Sequence, residues 1–382
     1  MSRAVAVRRS GFVLPAAIIA LVLLSTLLVG ALFVATEELR AGRSDLADER
    51  ALTAAEHAVE QTIATWPASR NTALAIGETI RVERGATVDG DAVEVTLTRT
   101  QLRAVWVVAR ASAADGRPIP ARRAVSASLR LSGPTFPLRA ALAAAGAVTV
   151  QGGMVDGRNE APGGARAEWC TTESPASVAG VIAPDSTRVC GAECTGGVPS
   201  GVTGVPPLAV VAVATSDSAF NTFGDESRSS LAARATVVLE RGSFTPRPVV
   251  SAETCDVRAP LNWGDPDATT PCRDHYPIVW IRGDAMLAAG AAGQGILLVD
   301  GDLTLAPGAR FVGVVVASDD LIVQGPGATI AGVAFAADAD GADGTRVLDG
   351  GAIRFDSCAA RVAVLAAARP GRTPERWWAE LR

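Results

Sequence analysis

The sequence predicts an α+β chain: a long N-terminal helix packed on an antiparallel sheet, followed by a mainly β domain of the right-handed parallel solenoid type. Three observations predict it. From Phe12 to Thr36 run 25 residues without a formal charge, and they continue into a charged amphipathic stretch with no proline before Pro67. Four short runs then alternate apolar and polar residues with period 2. Farther on, an apolar pattern punctuated by Gly and Asp recurs at a step of about 18 residues, the mark of stacked coils.

Composition narrows the function classes. The chain has 382 residues, 4% aromatics and a net charge of −5, which indicates no general affinity for nucleic acid. It contains no lysine, so a P-loop lysine and a Schiff-base lysine are both excluded. Abundant Ala and Gly suit thin, closely stacked layers better than a thick aromatic core.

Taken in order, the uncharged stretch comes first. As a helix it spans roughly 37 Å, enough to cross a bilayer. Arg3, Arg8 and Arg9 precede it, which keeps the N-terminus cytoplasmic. Val29-x-Ala31 offers a signal-peptidase site, so simple secretion stays open. The continuation argues against it. Leu39, Leu46, Leu52, Val59, Ile63 and Trp66 recur at helical steps among charges. Residues 12–65 then form one rod of roughly 80 Å, an extension that a plain anchor does not need.

The β runs occupy residues 78–85, 91–100, 102–113 and 122–132, within a domain of 66–133. Val93, Val95 and Leu97 alternate, as do Val125, Ala127, Leu129 and Leu131. This is an antiparallel meander with one buried face, for which the long helix supplies the cover.

A basic leader ending in Gly11, then Phe12, a membrane half-helix, an amphipathic half-helix and an antiparallel sheet resemble a type IV pilin. With Ala54-Ala55-Glu56 in the second half of the helix, the N-terminal region is most similar to the PilX-like minor pilins. The resemblance implies a leader of residues 1–11, cleavage between Gly11 and Phe12 by prepilin peptidase, methylation of the new N-terminus and packing of the helix into a pilus core. It implies other pilins and minor pilins, the peptidase and an inner-membrane assembly platform as partners. It places a single-pass protein in the inner membrane with its head in the periplasm, or outside the cell at a pilus tip. Major pilins carry Glu where this chain has Ala16, which suits a low-copy subunit. Pro15 is tolerated in a first helical turn.

The C-terminal half repeats. Residues 278–295, 296–313 and 314–332 align so that Ile281, Val299 and Ala317 coincide, as do Asp284, Asp302 and Asp320, and Gly295, Gly313 and Gly332. A fourth unit begins at Val333, and residues 144–153 resemble a coil's middle. A solenoid over 134–370 is expected, with a disulfide-rich insertion over about 154–275, a helix near 227–240, and a C-terminal cap at 371–382 in which Trp377 and Trp378 close the open end.

Candidate sites are few. Cys170, Cys190, Cys194, Cys255, Cys272 and Cys358 are disulfide candidates behind an export signal, with pairing left open. Zinc held by Cys255, Cys272 and His275 is the alternative, at a spacing that matches no common module. Asp338, Asp340 and Asp343 on a Gly-rich turn are a calcium candidate. Arg282-Gly283-Asp284 falls on the repeated turn. Asp300, Asp302, Asp319 and Asp320 can be posed as a polysaccharide-cleaving set, but no aromatic sugar platform is evident beside them. His57 and His275 have structural readings, and no catalytic residue is assigned. The sequence is therefore read as a non-enzymatic minor pilin that initiates or caps a filament and displays a β-rich head. A single-pass membrane-anchored β-solenoid and a secreted carbohydrate-active β-solenoid protein remain as alternatives.

Overall fold

The computed structural model describes residues 13–86, 92–112, 121–159, 176–191, 197–211, 220–337, 344–373 and 378–381. Its first element, α1 (Val13–Ala64), is one unbroken helix of 52 residues. Its two halves live in different surroundings. Ala51, Ala55, Ala58 and Val59 are buried and Thr62 is fully so; their i, i+4, i+7, i+8, i+11 spacing puts them on one face. Small side chains there let the helix lie close to the sheet. Among the described residues, nothing packs on the first half of α1, from Leu14 to Val34.

The sheet under α1 is antiparallel in the order β1 (Thr79–Ala86), β2 (Ala92–Gln101), β3 (Ala104–Ser112) and β4 (Arg122–Ser132). The alternating residues Val95, Leu97, Val105, Val107, Ala127, Leu129 and Leu131 are fully buried against the helix. The other edge of β4 is not open. Strands Arg369–Arg372 and Trp378–Leu381 pair with it antiparallel, with Pro370 opposite Leu131 and Glu380 opposite Val125. The segment expected to cap the solenoid therefore completes the first sheet. An eleven-residue edge is a strong template for pairing, and this overrides the helical propensity of the tail. Arg123 joins Asp48 of α1 at 2.7 Å and Glu380 at 3.3 Å, and Arg372 pairs with Glu60. Residues 133–368 are thus an insertion within a sheet rather than a domain appended to it.

The inserted part is one 16-stranded sheet, largely parallel, that curls around its own core. Ile278 pairs in register with Ile296, which pairs with Val314, which pairs with Val333; the steps are those of the sequence repeat. On the second face Leu303–Leu305, Leu321–Gln324 and Thr345–Leu348 stack likewise. Gly295, Gly313 and Gly332 lie directly over one another at φ of 113°, 133° and 141°. A Cβ on either upper glycine would run into the carbonyl oxygen of the glycine one coil below. Backbones meet there too closely for any side chain, which is why the glycine recurs.

Stacking order departs from chain order. Strand Ala140–Ala144 lies on the far side of Thr329–Ala336, with Leu142 opposite Ala334, and Val148–Gln151 lies on Thr345–Leu348. Ala179–Ala183 and then Leu208–Val210 extend that end. Val237–Phe244 pairs with Ile278–Leu287 at the opposite end. The span 154–275 is therefore not a single insertion: it contributes coils to both ends. The helix expected near 227–240 is confined to Arg228–Ala232 and gives way to a strand at Val237, where β-branched Val237 and Val238 favour extension.

Helix Ser357–Ala366 covers the coils at Ala292–Val299, Arg310–Ala317 and Thr329–Ala336 and connects the two layers. Ala360, Ala363 and Val364 belong to the solenoid core, whereas Leu365 and Ala368 belong to the core beneath α1. At this junction the fully buried Asn71 donates to Ala366 O at 3.2 Å and Ala368 O at 2.7 Å, and accepts from Trp66 Nε1 at 2.8 Å. Arg99, also fully buried, donates to Asn71 O at 2.5 Å and to Leu74 O at 3.2 Å. Desolvation lowers its pKa to about 10.

Candidate functional site

Among the described residues, the first half of α1 has no structural partner. Thirteen large apolar side chains between Leu14 and Val34 are exposed on all sides of the helix, Leu14 at 72% and Phe33 at 66%. Leaving them in water forgoes on the order of 20 kcal/mol of burial. A helix apolar all round belongs inside a protein assembly or a membrane. Its polar groups are satisfied within the helix: Ser25 Oγ donates to Leu21 O at 2.8 Å, and Thr26 Oγ1 to Leu23 O at 2.9 Å. An apolar medium requires this. The strongest 18-residue window has a mean hydropathy of 2.8, long and apolar enough to cross a membrane. Charge resumes at Glu37, which pairs with Arg40 at 2.7 Å. Pro15 occupies the third helical residue, where an N–H has no intrahelical acceptor. Gly11 and Phe12 lie outside the described residues.

The repeated aspartates form a ladder of hydrogen bonds. Asp284 Oδ1 accepts from Asp302 N at 3.2 Å, Asp302 Oδ1 from Asp320 N at 3.1 Å, and Asp320 Oδ2 from Gly344 N at 2.7 Å. Each carboxylate caps the backbone of the next coil's corner, which accounts for the repeat without a cation. Asp284 of the Arg282-Gly283-Asp284 stretch is one rung. Arg282 stacks 4.6 Å over Trp280 and pairs with Glu240. Among the described residues no three His, Cys, Asp or Glu side chains gather around a possible metal position. Asp338, Asp340 and Asp343 lie outside the described residues.

Cys255 and Cys272 are joined by a disulfide, Cα to Cα 4.8 Å, so zinc bound by their thiolates is ruled out. Cys190 and Cys358 are disulfide-bonded too; Cys170 and Cys194 lie outside the described residues. His275 is held below its ordinary pKa by burial. His57 is exposed on α1.

Three of the four acids posed as a sugar-cleaving set are engaged in structural contacts. Asp302 and Asp320 are committed to the ladder. Asp300 instead accepts from Trp280 Nε1 at 2.7 Å and pairs with Arg228 at 2.9 Å. It lines a cleft of about 500 Å³ with Asn221, Thr222, Ser227, Ser229 and Ala232. The sequence left this cleft unseen because Arg228 and Asp300 lie 72 residues apart, while Trp280 carries no local motif.

No family model matches the chain, and no curated protein matches it. Among solved structures it is similar to the competence-associated pilin ComZ from Thermus thermophilus, at 12% identity over 88% of this chain and 97% of that chain, with a TM-score of 0.23. At that score the fold and role of this chain rest on its own geometry.

Proposed function

We propose that the chain is a PilX-like minor pilin, cleaved between Gly11 and Phe12 and methylated there, inserted in the inner membrane with its head on the periplasmic side. It initiates or caps a filament and carries the solenoid at or near the tip. One observation carries this reading: a single continuous helix has its apolar half fully uncovered and its other half fixed on the sheet. A simple anchor works through a flexible linker. A subunit that packs by its helix and positions a head needs the two rigidly coupled. Ala16 adds no carboxylate to the apolar half, so the first fixed charge of the helix is Glu37. That suits a subunit present in few copies rather than the repeating one. The role is assembly and display, not catalysis.

The mature N-terminus, read by mass spectrometry of protein from native membranes, tests the proposal. A chain beginning at Phe12 with one added methyl group is expected, together with co-isolation in sheared filaments. A chain beginning near Leu32 would mean secretion and overturn it. An intact leader would leave a single-pass anchored solenoid.

A further inference from the structure

The cleft beside Trp280 is lined by no residue of α1. It is built on the solenoid's outer surface, where Arg228–Ala232 crosses strand Ile278–Leu287. Its volume of about 500 Å³ lies in the range of small-ligand sites. Its one cation and one anion neutralise each other: Arg228, with 13% of its side chain exposed, pairs with Asp300 and also donates to Val299 O. A charged ligand therefore gains little there. The remaining wall consists of an indole, an amide, the methyl of Ala232 and three hydroxyls, those of Thr222, Ser227 and Ser229. Asn221 is exposed and offers both a donor and an acceptor. Asp300 uses one bond on each oxygen, for Trp280 and for Arg228, which leaves lone pairs for two hydroxyl donors. Arg282 stacks 4.6 Å over the Trp280 ring and is not one of the residues that line the cleft.

We propose that this cleft binds a neutral saccharide, with the sugar's apolar face against Trp280 and its hydroxyls bonded to Asp300 and Asn221. A pyranose presents this combination, one flat apolar face rimmed by paired donors and acceptors, and its lack of charge matches the neutralised wall. The proposal stands whether or not the chain enters a filament.

The full chain, held in a detergent without a sugar headgroup, is titrated with maltotriose, chitotriose and trigalacturonate, and saturation transfer to the sugar protons is followed by NMR. Transfer to at least one neutral trisaccharide at millimolar concentration is expected, with little to trigalacturonate. Asn221→Ala, a surface change, is expected to weaken binding about fivefold, the worth of one hydrogen bond, with an unchanged melting curve. Transfer to none of the three would overturn the proposal. So would a preference for trigalacturonate, or neutral-sugar binding that is indifferent to both Asn221→Ala and Trp280→Phe.

Discussion

Asn71 shows how much a single side chain can hold. Its amide hydrogens serve two carbonyls at the end of the solenoid's helix, and its oxygen takes the indole of Trp66. Asn71→Ala leaves two buried carbonyls and the half-buried Trp66 indole without this partner, and orphaned buried groups cost about 1–3 kcal/mol each before relaxation. Chemical denaturation should show a loss of at least about 2 kcal/mol, while Asn71→Asp, which keeps only the acceptor, should rescue little. Asp156 makes a prediction about pH. Arg158 holds its carboxyl down to about 2 from an ordinary 3.8, with help from Thr203 and against the cost of burial. A folded-state pKa below the unfolded value gives stability that is complete above about pH 4 and is lost as pH falls toward 2. Because Arg158 is 63% exposed, solvent screens the pair, and the contribution is on the order of 1 kcal/mol. Asp156→Asn should flatten that part of the stability–pH curve; an unchanged slope between pH 4 and 2 would assign it elsewhere.

At the scale of the element, the glycines separate two physical costs that look alike in sequence. Gly308 and Gly313 both have positive φ, 74° and 133°. A Cβ on Gly308 meets only ordinary contacts, the nearest at 3.6 Å, whereas one on Gly313 strikes Gly295 O. Gly308→Ala should cost about 1 kcal/mol, the left-handed penalty alone. Gly313→Ala should cost several times as much and disturb the coil on either side, which hydrogen exchange across 296–299 and 314–317 would report. Equal effects would mean that the close approach relaxes freely. The same contrast explains what was legible. The step of 18 could be read because each ladder, of glycine, aspartate or aliphatic residue, needs the same chemistry at the same corner of every coil. Strands such as Ala140–Ala144 carry no such signature: a short apolar run can lie on any coil, so its place beyond Thr329–Ala336 was not readable. The uncovered half-helix was legible because thirteen apolar residues admit few environments. The cleft was not, because three separated segments make it.

For the whole molecule, the decisive fact is that the chain returns from the solenoid to complete the sheet it left. The chain leaves the sheet after β4, builds a first solenoid segment outward from Ala140–Ala144, restarts at the opposite end with Val237–Phe244, stacks back until Thr329–Ala336 meets Ala140–Ala144, and returns to β4. The solenoid is joined covalently to β4 at its first chain end, and two strand pairings, the Asn71 junction and the ion pairs at Glu60 and Glu380 hold its second. Two attachments restrict the head's rotation far more than one linker would, and they do so directly over the buried half of α1. A chain ending at Ala368 removes one attachment and leaves β4 with an open edge. Its solenoid keeps its core and disulfides. The helix-and-sheet layer loses its edge partners and becomes a template for pairing with other chains. Calorimetry should therefore split one unfolding transition into two, the lower belonging to the helix and sheet, with self-association growing with concentration. A single transition at the original temperature would show that the returning strands contribute nothing to the joint, and that the solenoid is carried by the segment after β4 alone.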